Sequence, residues 1–183
     1  MFEIKDTAAG LTVTMIREPE PRNPRMADEN LFQIVTWIPD LGDAHDWPNE
    51  QAFLASINHE ETVMMPLTTI LIRGRHALVP AYKDTDRVVG YAFASFESIC
   101  LFNKMGKITD EVRSRVLENA EYTCLGELSA YEEFIAGDVH MYHVVDKRGE
   151  LLEEERNICG SEYAMSKAKD AFQRHLYGIQ MDL

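Results

Sequence analysis

One short loop carries the densest potential chemistry in the chain: Asp40, Asp43, His45 and Asp46, gathered beside Gly42. Carboxylates suit hard divalent cations, and one imidazole adds affinity for zinc, manganese or iron, so Asp43, His45 and Asp46 are the candidate metal ligands. The spacing does not follow the EF-hand order and no HExxH helix accompanies it, so a capped, hydrogen-bonded turn is the simpler account. The same loop would serve a small hydrolase or metal-dependent enzyme if the fold brought Arg25 or His140 to it.

Other candidates are thinner. His59, Glu60 and Glu61 would include a general base only inside a cleft that raised a carboxylate pKa; solvated residues at a helix end are the plainer reading. Residues two apart share one face of a strand, so Asp138 can meet His140, whereas His140 and His143 diverge. Arg22 and Arg25 flank Asn23-Pro24, and Arg73 and Arg75 flank Gly74. Such pairs either hold a phosphate or carboxylate bidentately or neutralise acids within the protein. There is no GxxxxGK[ST] loop, GxGxxG turn or GxSxG elbow. Cys100, Cys124 and Cys159 are an odd number at wide spacing, which reads as reduced, mostly buried thiols rather than a disulfide framework or zinc knuckle. No cofactor is implied.

Charge is the strongest global signal, with a formal net of -13 over 183 residues. It disfavours direct nucleic-acid binding, which needs clustered Lys and Arg, and suits a basic partner protein. Between Glu127 and Glu155 nine acids stand against Lys147 and Arg148. The candidate interaction residues are therefore Glu127, Glu132, Glu133, Asp138, Glu150, Glu153, Glu154 and Glu155. At phosphate-like spacing they would imitate DNA; a merely solvated acidic face is the plainer alternative.

The elements that must position these groups follow from hydrophobic period and turn residues. A hairpin is expected around Thr7 to Gly10, with Phe2 and Ile4 on one strand and Leu11, Val13 and Ile16 on the other. Residues 18–30, with three prolines, form an irregular segment. Leu31 to Ile38 reads as a central strand, and Asn49 caps a helix with Phe53, Leu54 and Ile57 inward. A strand begins after Pro66 and runs to Ile72, another follows from His76, and Lys83 to Asp86 is a turn. Val88 to Phe96 places Tyr91 and Phe93 on one face and Ala92 and Ala94 on the other, open to a close helix.

Thr109 caps a helix with Asp110 and Glu111 in its first turn and Val112, Val116 and Ala120 inward; Cys124 and Leu128 continue it if the helix survives Gly126. Ser129 with Glu132 reads as a capping box that starts a short helix, ended by Gly137 and followed by a strand from Val139. Glu150 to Glu155 is an acidic segment. A last helix runs from Ser161 or Glu162 to Tyr177, with Ala164, Ala168, Ala171 and Phe172 inward. The pattern implies a single α+β domain over 1–183, a mainly antiparallel sheet with three to five helices. The start lacks the pattern of a signal peptide, and no apolar run reaches membrane-spanning length.

Several of these residues also carry a resemblance. Asn23-Pro24-Arg25, Asp28-Glu29-Asn30-Leu31, Leu41-Gly42-Asp43 and Tyr131-Glu132-Glu133-Phe134-Ile135-Ala136-Gly137-Asp138-Val139 resemble segments of a family of uncharacterised small proteins of bacteriophages, prophages and other mobile elements. The chain departs from that pattern at Phe32, where the family has glycine. The resemblance implies a mobile-element context and a location in the cytoplasm of a bacterial host. With the charge, it gives the leading expectation: a protein that binds a host or defence protein, including an antirestriction or anti-defence role as a DNA mimic. The alternatives are an enzyme using the Asp43-His45 loop and a homo-oligomeric assembly component.

Overall fold

All strand pairings among the described residues are antiparallel, and four α-helices accompany them, which is the expected α+β class. The computed structural model describes the chain except residues 27–29, 84–85, 106–108 and 182–183 and the side chains of 110–111 and 179–181. In order, the elements are β1 (Phe2–Asp6), β2 (Leu11–Arg17), a 3-10 turn (Pro24–Met26), β3 (Gln33–Thr36), α1 (Glu50–Ser56), β4 (Thr62–Ile72), β5 (Arg75–Pro80), β6 (Gly90–Ser95), α2 (Phe96–Phe102), α3 (Asp110–Ala136), β7 (Val139–Val145), β8 (Leu151–Cys159) and α4 (Ser161–Met181). The chain divides into two compact units, Met1–Arg22 with Ala136–Leu183, and Asn23–Ile135. The sequence reading, with its single domain, leaves this division unmarked.

The first unit holds a sheet of order β1-β2-β7-β8. Leu11, Val13 and Met15 alternate onto one face of β2 and join Tyr142 and Val144 of β7. That face is covered by α4, whose Ala164, Ala168, Ala171 and Phe172 are buried as their helical spacing predicts. Three alanines on one stripe let the helix backbone approach the sheet. The acidic segment expected at Glu150 to Glu155 is mostly strand: β8 pairs with β7 from Leu151 to Cys159.

The second unit holds a sheet of order β3-β6-β4-β5, with side chains packed on both faces. Ala92 and Ala94 of β6 meet Val116, Ala120, Cys124 and Leu128 of α3 on one face, as their small size anticipates. Val35, Tyr91 and Phe93 meet Phe53 of α1 and Trp47 on the other. The N-cap of α1 is as expected, with Asn49 Oδ1 accepting from the Ala52 N–H at 2.9 Å.

Three readings of this unit need correction, and one helix is additional to them. The helix is continuous from Asp110 to Ala136, so Ser129 is mid-helix and not a cap. Gly126 is exposed, and the buried series Val116, Ala120, Cys124, Leu128 and Tyr131 offsets its propensity cost of about 1 kcal/mol. Gly137, at φ +69°, follows the last helical residue as expected. Pro66 lies inside β4, where its carbonyl accepts from the Ala81 N–H just past the end of the β4 and β5 ladder, so its missing donor breaks no rung. Helix α2, capped by Ser95, was not anticipated. Finally, β3 is an edge strand, although its apolar character reads as central. The helix-dipole reading of Asp110 and Glu111, the Asp28-Glu29 part of the motif and the centre of the Lys83 to Asp86 turn lie outside the described residues.

Candidate functional site

An edge strand leaves alternate N–H and C=O groups without a ladder partner, and buried groups of this kind must find one. In β3 and the residue before it, the outward groups belong to Phe32, Ile34 and Thr36. Each is met by a side chain that the sequence marks as chemical. Arg25 Nη2 donates to the Phe32 carbonyl at 2.6 Å. Glu127 reaches from α3, its Oε1 accepting from the Leu31 N–H at 2.6 Å and its Oε2 from the Phe32 N–H at 3.3 Å. Asp43 Oδ2 accepts from the Ile34 N–H at 2.8 Å, while the Asp43 N–H donates to the Ile34 carbonyl at 2.7 Å. His45 Nε2 lies 2.8 Å from the Thr36 carbonyl; a carbonyl only accepts, so Nε2 carries the proton.

Arg25 ties this edge together. Its side chain is 5% exposed and pairs with Asp43 at 2.7 Å and Glu127 at 3.0 Å. It also donates to Asn30 Oδ1 at 3.0 Å, and its Nε lies 3.4 Å from Asp43 Oδ1. All five guanidinium N–H groups thus have acceptors, leaving none for an anion. Of the two fates the sequence allows Arg25, the structure shows internal pairing. Gly42 completes the arrangement at φ +79°; a Cβ there would stand 2.8 Å from the Ile34 carbonyl oxygen.

Beside this edge lies an aromatic cluster of Trp37, His45, Trp47, Phe53, Tyr91 and Phe93. The Tyr91 hydroxyl donates to Glu50 at 2.5 Å, and burial together with that carboxylate pushes its pKa up to about 12. Two buried side-chain polar atoms among the described residues have no hydrogen-bond partner, Trp37 Nε1 and His45 Nδ1. Asp40, at φ +66°, and Asp46 are exposed. Among the described residues no group of three or more His, Cys, Asp or Glu side chains is gathered as a metal site requires. Cys124 is fully buried, and burial lifts its thiol to about 12, far from a neutral-pH thiolate.

The acidic stretch is distributed over several roles. Glu127 is enclosed at the β3 edge, and Glu132 and Glu133 are half-buried on α3. Asp138 meets His140 at 2.8 Å, as the strand period predicts, and its Oδ2 accepts from the Ser161 N–H at 2.9 Å, anchoring the start of α4. Burial raises the Asp138 pKa, but these hydrogen bonds outweigh it and the net shift is downward. Glu153 and Glu155 lie on the same face of the sheet as Tyr142 of β7, while Glu154 points the other way and is exposed.

The Tyr142 hydroxyl has one proton; it lies 2.6 Å from Glu153 Oε1 and 3.1 Å from Glu155 Oε2, so Glu153 takes the better bond. Burial, reinforced by both carboxylates, raises the Tyr142 pKa. Lys167 pairs with Glu155, and Arg174 and His175 meet Glu153 at 2.8 and 3.0 Å. For Glu153, burial acts upward but the Tyr142 and His175 hydrogen bonds and the Arg174 charge prevail, and its pKa is lowered.

No protein-family model matches the chain, and neither the comparison with curated proteins nor that with solved structures returns a match. The resemblance to mobile-element proteins rests on the motif residues alone. Of those residues, Arg25 and Asp43 are joined by the structure, with Glu127 as a third member that sequence had assigned to an outer acidic face. Its position one residue from the buried Leu128, within the α3 apolar series, was the available signal. No helix among the described residues is long and apolar enough to cross a membrane.

Proposed function

We propose that the protein works by binding a basic partner protein through its surplus surface carboxylates, without a reaction of its own. The supporting observation is the charge balance of the internal pairs. Asp43 and Glu127 share Arg25, Glu18 takes Arg156, Glu153 takes Arg174 and Glu155 takes Lys167. These pairs nearly cancel, so the excess behind the net charge of -13 falls outside them. Within the acidic stretch, Glu150 and Glu154 are exposed and Glu132 is partly so. A field of one sign steers an oppositely charged surface into encounter and weakens with salt.

The partner class is a host or defence protein with a basic groove, including one whose groove ordinarily holds nucleic acid. Affinity capture of the tagged protein from a bacterial lysate at low and high salt, read by mass spectrometry, tests this. The expected result is a basic protein retained at low salt and released at high salt. Replacing Glu132, Glu150 and Glu154 together with Gln weakens its retention, and added duplex DNA competes if the carboxylates imitate phosphates. Retention that ignores both salt and the triple substitution would overturn the reading.

A further inference from the structure

The aromatic side of β3 and β6 opens into a cavity of about 380 Å³ lined by Arg25, Gln33, Asp43, His45, Trp47 and Phe93. We propose that this cavity binds an organic cation, a guanidinium or alkylammonium group, on its aromatic walls. Three observations define the ligand. An anion finds no donor in Arg25, because its five N–H groups are engaged by Asp43, Asn30, Glu127 and the Phe32 carbonyl. The Arg25, Asp43 and Glu127 group carries one more negative charge than positive, and the Asp43 side chain is 29% exposed. Among the described residues its Oδ1 has only the long 3.4 Å contact to Arg25 Nε and retains acceptor capacity.

His45 lines the same cavity. Donation from Nε2 to the Thr36 carbonyl leaves Nδ1 with a lone pair, and that atom is buried with no partner among the described residues. The third feature is the wall: Trp47 and Phe93 stand edge to face with centroids 5.9 Å apart, and indole and phenyl rings attract cations through their π faces. A carboxylate with acceptor capacity, a local negative charge and aromatic walls select a positively charged N–H donor. The site deepens the partner-binding reading if the cation is an Arg or Lys side chain of that partner, and stands apart from it if the cation is a free small molecule.

The chain has two tryptophans, hence two indole N–H signals in a ¹⁵N-labelled sample. Titration with N-butylguanidinium is expected to shift the Trp47 signal saturably. N-butylurea, the neutral isostere, binds at least several-fold more weakly, and butyrate does not bind. Phe93→Leu keeps an apolar wall without the ring and weakens the cation by about five-fold, the size of one cation–π contact, while cooperative melting confirms the fold. The blocked peptide acetyl-Gly-Arg-Gly-amide identifies the source: tighter binding than N-butylguanidinium points to a partner side chain, weaker binding to a free cation.

No saturable shift, equal affinity for the urea, or binding of butyrate would overturn the proposal. Salt-dependent capture of a basic partner can succeed whatever the Trp47 signal does, so failure of the cavity and failure of the partner reading are distinguishable.

Discussion

Strands β3 and β8 both lie at a sheet edge, and the molecule deals with the two edges differently. At β3 the backbone groups that lack a strand partner are satisfied by Arg25, Asp43, His45 and Glu127, which act as substitutes for a neighbouring strand. At β8 charge does the work: Glu153, Glu154, Glu155 and Arg156 occupy four consecutive positions. Register shifts opposite β7, together with Asn157 at φ +58°, break the regular ladder that another chain would extend. The comparison teaches that the same residue types serve opposite ends. Carboxylates bonded to backbone groups are part of the fold at β3, whereas at β8 Glu153 and Glu155 pair with side chains of α4 and Glu154 faces solvent.

The largest effect should come from the β3 edge. Arg25→Ala leaves the Asp43 and Glu127 carboxylates without their shared cation, and a loss of about 3–5 kcal/mol is expected in urea unfolding, the cost of breaking a buried pair from one side. Gly42→Ala should cost about 2 kcal/mol, combining a left-handed backbone with the clash against the Ile34 carbonyl. On the β8 side, Tyr142→Phe removes the donor to Glu153 and is expected to cost about 1 kcal/mol by the same measurement. If it cost as much as Arg25→Ala, the contrast between the two edges would be lost.

Acid should act through the first unit. The Glu18 carboxylate, fully buried, is held below its usual pKa by the Arg156 hydrogen bond at 2.5 Å, and Asp138 and Glu153 are lowered as well. A lowered folded-state pKa means that the unfolded chain binds protons first. The contribution is therefore complete above the ordinary carboxylate range of about 4 and is lost as pH falls through it towards the depressed values. Unfolding followed from pH 7 to pH 2 should show this loss, with a shallower slope in Glu18→Gln. Glu154→Val should change stability least, within about 0.5 kcal/mol for an exposed site, yet promote association in light scattering by making the edge less repulsive.

The two edges are also where sequence and structure part company. The elements that bury one regular stripe were legible: α4 from its alanines, β6 from its aromatic and small faces, and the Asp138 and His140 contact from the period of two. Leu31 to Ile38 looked central because both faces of β3 are apolar, and periodicity reports faces while saying nothing about edges. Glu150 to Glu155 looked like an acidic segment because carboxylates have low strand propensity, whereas Tyr142, Lys167 and Arg174 from distant positions give Glu153 and Glu155 their partners. The pairing of Arg25 with Asp43 was open to the sequence as internal neutralisation. Glu127 was not, since its contact with Leu31 spans 96 positions.

Site-resolved amide hydrogen exchange at Ile34 tests the capped-edge account most directly. In an antiparallel ladder alternate residues face the partner strand, so Gln33 and Val35 point to β6 and Ile34 depends on Asp43. The account predicts a protected Ile34 amide whose protection falls by about ten-fold or more in Asp43→Ala, the loss of one bond of about 1.4 kcal/mol, with a smaller change at Val35. An Ile34 amide that exchanges freely in the unaltered protein, or that ignores Asp43→Ala, would contradict it.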